Sequence, residues 1–244
     1  NKKIGYVVGK KIDRFFINLG LRKIDSFVLF SSHMQEYLPV TNKPWINVEG
    51  IFNSENVTAE SIVKPNEKVI LYTGNISKRM GIPELIAAFG LIKSEDYRLW
   101  IRGNGECKSM ILDACKNDSR IKYFEAMSKE DLLMLQKKAT ALINPVFSSK
   151  KFTRYFFPSK TMEYLASGTP TIMSRLDCLP KEYYNHIYFF DDESVEGIKN
   201  KIIEICEKPQ DELDAFGKAA SEFILTEKNE KKQARKIVDL LNSL

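Results

Sequence analysis

A lysine and a glutamate, Lys160 and Glu163, stand three residues apart at the start of a predicted helix within residues 157–172. Pro158 and Ser159 supply start signals for that helix, and Gly168 followed by Pro170 supplies a stop. The first N–H groups of a helix lack intrahelical partners, so together with the dipole they favour an anion just outside. A cation in the first turn, as Lys160 is, sits poorly there unless an anion joins it. Glu163 falls on a neighbouring face, where it can accept hydrogen bonds from hydroxyls. An anion-binding end, a cation and a hydroxyl acceptor together suit a nucleoside diphosphate. The plainer alternatives are a solvated helix lysine and an ion-paired glutamate.

Three further loops follow predicted strands, and in open parallel sheets ligands bind beyond such carboxyl ends. In the first, Gly74 permits close backbone approach ahead of a helix start, with Asn75, Lys78 and Arg79 around it. A strand-to-helix turn with solvated cations is its alternative. The second holds Gly103 and Gly105, a weak signal alone. The third sets Ala126 and Met127 at a strand end, where Met127 is equally read as packing and Ser128 as a cap. A longer loop carrying Ser148, Lys150, Lys151, Arg154 and Tyr155 reads as a mobile cover.

Pro158-Ser159-Lys160, followed by Glu163-Tyr164-Leu165-Ala166-Ser167-Gly168-Thr169-Pro170, resembles the donor-site helix of GT-B glycosyltransferases of the retaining group 1 (family 4) type. The resemblance runs from about Lys68 to the C-terminus, and more weakly back to about Ile24. It implies an α/β fold, a doubly wound parallel sheet of Rossmann-like type over residues 61–244, with residues 1–60 a remnant of the acceptor-side domain and linker. It also implies metal-independent, retaining transfer of a sugar from a nucleotide-diphosphate donor, taken as a UDP-sugar, to a saccharide or lipid-linked acceptor, without a cofactor. Lys160 and Glu163 then carry the chemistry, with Glu163 on the ribose. Gly74, Asn75, Lys78, Arg79, Gly103, Ala126, Met127, Tyr155, Ser159 and Thr161 become donor-binding.

The chain departs from that pattern in three places. Asn75 stands where arginine is usual, Met80 where lysine is, and Tyr155 where an earlier glutamate is. These departures favour a non-catalytic nucleotide-sugar binding module or partner subunit; another GT-B enzyme, such as a sugar-nucleotide epimerase, is a third reading. With only part of the acceptor-side domain, the chain alone is expected to be inactive.

Bulk properties bound the alternatives. The 244 residues are 43% hydrophobic, enough for one large domain or one domain plus part of another. No apolar run approaches bilayer length, and the basic start lacks the apolar stretch of a signal peptide, so the expected location is cytoplasmic. Cys107, Cys115, Cys178 and Cys206 show no framework spacing and read as free buried thiols. His33 and His186 are too few for a histidine-rich metal site, so no metal is expected.

The net charge of +5 is concentrated before Ile24, in Lys2, Lys3, Lys10, Lys11, Arg14, Arg22 and Lys23. Interleaved with Phe15, Phe16, Ile17, Leu19 and Leu21, these form a basic amphipathic pattern suited to peripheral contact with the anionic inner face of a membrane. A solvated helix whose packing partner lies outside this chain fits equally. Nucleic-acid binding is disfavoured, because the basic residues lack an aromatic stacking pattern.

The positioning elements follow from periodicity. Strands are predicted at 27–30, 45–50, 69–72, 98–102, 121–124, 141–144, 171–173 and 187–190. Helices are predicted at 34–38, 83–91, 106–116 and 128–138, with three more from about Ser194, Asp211 and Lys228. Polar residues 53–66 read as a linker.

Overall fold

A computed structural model describes residues 2–38, 42–53 and 62–244. The chain opens with helix α1 (Lys2–Leu21) and two short parallel strands, β1 (Phe27–Leu29) and β2 (Trp45–Asn47), joined through a 3-10 turn at Ser32–Glu36. It then alternates: β3 (Lys68–Asn75), α2 (Ile82–Gly90), β4 (Tyr97–Asn104), α3 (Lys108–Asn117), β5 (Ile121–Phe124), α4 (Lys129–Lys138), β6 (Ala141–Asn144), α5 (Lys160–Ala166), β7 (Thr171–Met173) and β8 (Tyr188–Phe189). Helices α6 (Val195–Cys206), α7 (Gln210–Glu227) and α8 (Glu230–Asn242) end it.

Strands β3 to β8 form one six-stranded sheet in the order β5-β4-β3-β6-β7-β8, every pairing parallel. The sheet is the α/β arrangement that the sequence predicts. Its central strands are apolar without alternation: Val69 to Tyr72 and Ala141 to Ile143 are fully buried, as a parallel strand covered on both faces requires. Ile82, Leu85, Ala88 and Phe89 of α2 pack on one face together with Ile198, Ile202 and Ile205 of α6. From β3 the order runs outward to β4 and β5 on one side and to β6, β7 and β8 on the other. The chain therefore reverses direction of travel between β3 and β6, opening a crevice beyond their carboxyl ends.

Local signals place most boundaries. The side chains of Ser128, Ser194 and Asn229 accept from Asp131, Gly197 and Lys232 N–H respectively, fixing the starts of α4, α6 and α8. The helix expected within 157–172 is shorter, Lys160–Ala166. Gly168, at φ +76°, ends it as predicted. Ser159 does not cap it with its side chain: at φ −52° and ψ −33° the residue is already helical, and Thr161 N–H turns back to Pro158 O at 2.8 Å. Strands expected at 45–50 and 187–190 are trimmed to three and two residues, and the helix expected at 34–38 is the 3-10 turn, capped by Ser31. The boundary expected between residues 60 and 61 lies outside the described residues, as does most of the 53–66 linker. Cys107, Cys178 and Cys206 are buried free thiols as predicted, whereas Cys115 is only half-buried.

Among the described residues no helix is long and apolar enough to cross a membrane. Tyr6, Phe15, Phe16 and Ile17 of α1 are more than half exposed.

The first segment is tied to the last by a buried charge cluster. Lys228, at the junction of α7 and α8, pairs with Glu49 and Glu182, and the Lys228 and Glu49 side chains are each 1% exposed. Tyr183 Oη donates to Glu49 Oε1 at 2.9 Å, and Phe52 N–H donates to Lys228 O at 3.0 Å. Such a cluster adds little over an apolar replacement, but removing one member strands the others in a low dielectric. Lys228→Met is accordingly expected to lower unfolding free energy by about 3–5 kcal/mol, and Lys228→Met with Glu49→Gln to recover part of that loss in denaturant titrations.

Candidate functional site

The crevice between β3 and β6 holds a cavity of about 300 Å³. Its wall brings together Gly74 and Asn75 from the end of β3, Asn144 from the end of β6, and Ser159, Lys160 and Glu163 from the start of α5. Met80, Val146, Thr153, Phe156, Pro158 and Leu176 complete the lining.

Lys160 is the centre of this arrangement. Its Nζ lies 4.0 Å from the centroid of the Tyr72 ring and donates to Tyr72 Oη at 2.8 Å. Tyr72 Oη in turn donates to Asn75 O at 2.5 Å, which fixes the loop after β3. Gly74 makes room for the amine: it has φ +127°, and a Cβ there would stand 3.0 Å from Lys160 Nζ. Burial pushes the Lys160 pKa down to about 7, against the opposing pull of Glu163. Glu163 opens to the crevice, yet the surrounding protein raises its pKa more than Lys160, Lys129 and Arg102 lower it. The pair is thus a cation and a carboxylate whose charges are both costly without a ligand.

At the helix start, Thr161 and Met162 N–H donate to Pro158 O and Ser159 O. The backbone donors not engaged in that way belong to Ser159 and Lys160. An anion placed at this end would meet those two groups and the Lys160 amine.

Several residues expected around a donor lie elsewhere. Thr161 is fully buried, with its hydroxyl toward Met173 Sδ, so its side chain is core. Arg79 stacks its guanidinium 4.2 Å over the Phe152 ring, and Lys78 uses its N–H on Glu106 Oε1 at 3.0 Å. Gly103 pairs with Gly74 across the sheet, where a Cβ would meet Gly74 O at 1.8 Å; its glycine is required for strand approach. Met127 packs against the cluster of Val69, Leu71 and Leu142, and Ala126 is exposed beyond β5. Tyr155 donates to Glu36 Oε2 at 3.0 Å and stacks edge-on against Tyr37 rather than entering the cavity.

Asn144 was not among the residues singled out by sequence. It is 1% exposed, and neither its Oδ1 nor its Nδ2 has a hydrogen-bond partner. The available signal is one amide closing an otherwise apolar strand just before Pro145. A buried amide without partners costs stability and suits a ligand-facing position. Asn144→Leu is expected to raise unfolding free energy by about 1–3 kcal/mol in urea titrations, since it removes the unpaired group and the adjoining cavity has room for the larger side chain.

The comparisons with known proteins fit this geometry. The family model described as "Glycosyl transferases group 1" matches residues 53–223. Sucrose-phosphate synthase from Thermosynechococcus elongatus superposes with a TM-score of 0.74 at 16% identity, covering 96% of this chain and 61% of that one. A mutant of S. aureus TarM, solved with fondaparinux, alpha-GlcNAc-glycerol and UDP, gives 0.74 at 14% identity, covering 93% and 46%. Anabaena HepE, solved with UDP and glucose, gives 0.72 at 12% identity, covering 95% and 66%. The chain thus spans between about half and two thirds of the length of these structures. A sequence comparison with curated proteins finds no match. With more than half of its residues matched by that family model, the chain belongs to the glycosyl transferases group 1.

Proposed function

We propose that the cavity binds a nucleotide sugar, taken as a UDP-sugar, and that the chain is the donor half of an enzyme passing that sugar to a saccharide or lipid-linked acceptor. The observation that carries this reading is the Lys160 amine, packed against the Tyr72 ring and sharing with Glu163 the wall of the crevice between β3 and β6. In this reading the diphosphate lies against Lys160 and the N–H groups of Ser159 and Lys160, and Glu163 accepts from the ribose hydroxyls. The departing diphosphate gains charge as the sugar bond breaks, and a fixed cation in a low-dielectric wall stabilises that charge most at the transition state. Retention and metal independence belong to the same proposal: the positive field comes from the lysine and the backbone. Met80 occupies the cavity wall where the family pattern has a lysine, so Lys160 supplies the cation from the opposite side.

The lipid-linked acceptor and a cytoplasmic, membrane-peripheral location rest on α1, whose exposed aromatic and aliphatic residues are interleaved with Lys10, Lys11 and Arg14. The second reading is a binding module without turnover. It is favoured by Asn75 and Met80, since two cationic contacts of the family pattern are missing from the wall.

Calorimetric titration with UDP-glucose tests the site. Glu163→Ala is expected to weaken binding by about tenfold or more, as loss of hydrogen bonds to a charged acceptor does. Unchanged binding in that variant would remove the ribose role. Turnover of UDP-sugars by a longer form of the protein, lost with Lys160→Met, separates enzyme from binding module.

The pH dependence has a definite sign. In the free protein Lys160 loses its proton near pH 7, and a bound diphosphate raises its pKa. The lysine's contribution to affinity is therefore full below about pH 7 and falls above it, because binding must then take up a proton. The expected slope approaches about tenfold per pH unit, and Lys160→Met abolishes it.

A further inference from the structure

The loop between β6 and α5 forms part of the cavity wall through Thr153, Phe156 and Pro158. It does not lie free on the surface. Glu36, the last residue of the 3-10 turn between β1 and β2, holds it with both carboxylate oxygens. Glu36 Oε1 accepts from Arg154 Nη2 at 2.6 Å, and Oε2 accepts from Tyr155 Oη at 3.0 Å. The same turn adds a stack of the Tyr37 and Tyr155 rings, with centroids 4.8 Å apart. Ser31 Oγ donates to Arg154 O at 2.8 Å. His33 Nδ1 lies 3.1 Å from Glu36 Oε1 and steadies the carboxylate from behind.

The ends of the loop are anchored separately: Phe147 and Phe157 pack into the core, and Cys178 Sγ donates to Phe156 O at 3.3 Å. Arg79 lies over Phe152, and Ser148 N–H donates to Glu193 Oε1 at 2.7 Å, whereas the polar side chains of Arg154 and Tyr155 are held from the first segment. Behind it Asn144 keeps both amide atoms unpaired, so the closed arrangement leaves a polar floor unused. A wall held by the first segment over an unsatisfied polar floor has the features of a cover whose position depends on that segment.

We propose that Glu36 is a positioning residue: it holds the 147–157 loop against the donor cavity and so couples the placement of the N-terminal segment to access at that cavity. It touches neither the cavity nor a reacting atom and acts through Arg154 and Tyr155. The inference rests on the donor-site reading only for what enters the cavity. The contact with the loop stands independently of it.

Limited trypsin digestion reads the loop directly, because Lys150, Lys151 and Arg154 lie within it and the first two are exposed. Each individual contact is partly exposed and modest, so Glu36→Ala is expected to speed cleavage after Lys150 and Lys151 by about threefold to tenfold with little change in melting temperature. The charge-swapped double Glu36→Arg, Arg154→Glu is expected to return cleavage after Lys150 and Lys151 toward the original rate. UDP-glucose is expected to slow this cleavage in the unaltered chain, and to do so less in Glu36→Ala. Cleavage in Glu36→Ala no faster than in the unaltered chain overturns the proposal. So does faster cleavage matched by an equal fall in melting temperature, since that reports general loosening. If UDP-glucose slows cleavage in neither protein while Glu36→Ala still opens the loop, the donor-site reading fails and the positioning role stands.

Discussion

A lysine amine drawn against a tyrosine ring in the crevice wall is the constraint around which the carboxyl edge of the sheet is arranged. Tyr72 offers its ring face and its hydroxyl to that amine, and the same hydroxyl clamps the backbone at Asn75. Gly74 has to be glycine on two counts, its backbone angle and the space the amine needs. The charge is tolerated only because it can be given up: burial brings the pKa of Lys160 to about 7. An anion bound in the crevice would favour the charged form of the lysine. One group therefore links the local backbone to the electrostatics of the cavity.

Topology decides where that lysine can act. The sheet reverses its winding between β3 and β6, and only there do loops diverge to leave a crevice. Residues from the ends of both strands and from the start of α5 converge on it, although they are scattered from Gly74 to Glu163 in the sequence. Strand approach supports the geometry, since Gly103 lets β4 lie close against Gly74. The cluster of Lys228, Glu49 and Glu182 lies close to α5, where Tyr183 packs on Phe157 and Gly50 lies against Met162. It fastens the segment before the sheet to the helices that follow it, and thereby sets where Glu36 can reach the loop after β6.

The departures from the group 1 pattern acquire a physical meaning in this setting. Met80 lies in the cavity wall as an apolar surface, not as a cation displaced by a residue or two. Arg79, close by in sequence, lies over Phe152 and not in the cavity wall. The cation in the wall is Lys160 of α5. A wall with a single titratable cation offers an anion a weaker and more pH-sensitive field than one lined by arginine.

The sequence by itself determined the layers. Fully apolar strand cores, capping serines ahead of α4 and α6, and Gly168 after α5 are local signals, and each acts within a few residues of where it stands. Lys160 and Glu163 were legible for the same reason, because a helix start with a cation and a carboxylate is a short-range pattern. Tertiary structure alone decided the rest. Ser159 failed as a side-chain cap because the chain already turns at Pro158, and Thr161 faces the core because α5 is packed on β7. Asn144 carries no spacing signal; it matters because β6 ends under the cavity with its amide unpaired. Tyr155 is drawn off by Glu36, more than a hundred residues earlier in the chain. Short-range stereochemistry can be read along one strand of text, whereas burial and long-range pairing depend on which distant residues the fold sets side by side.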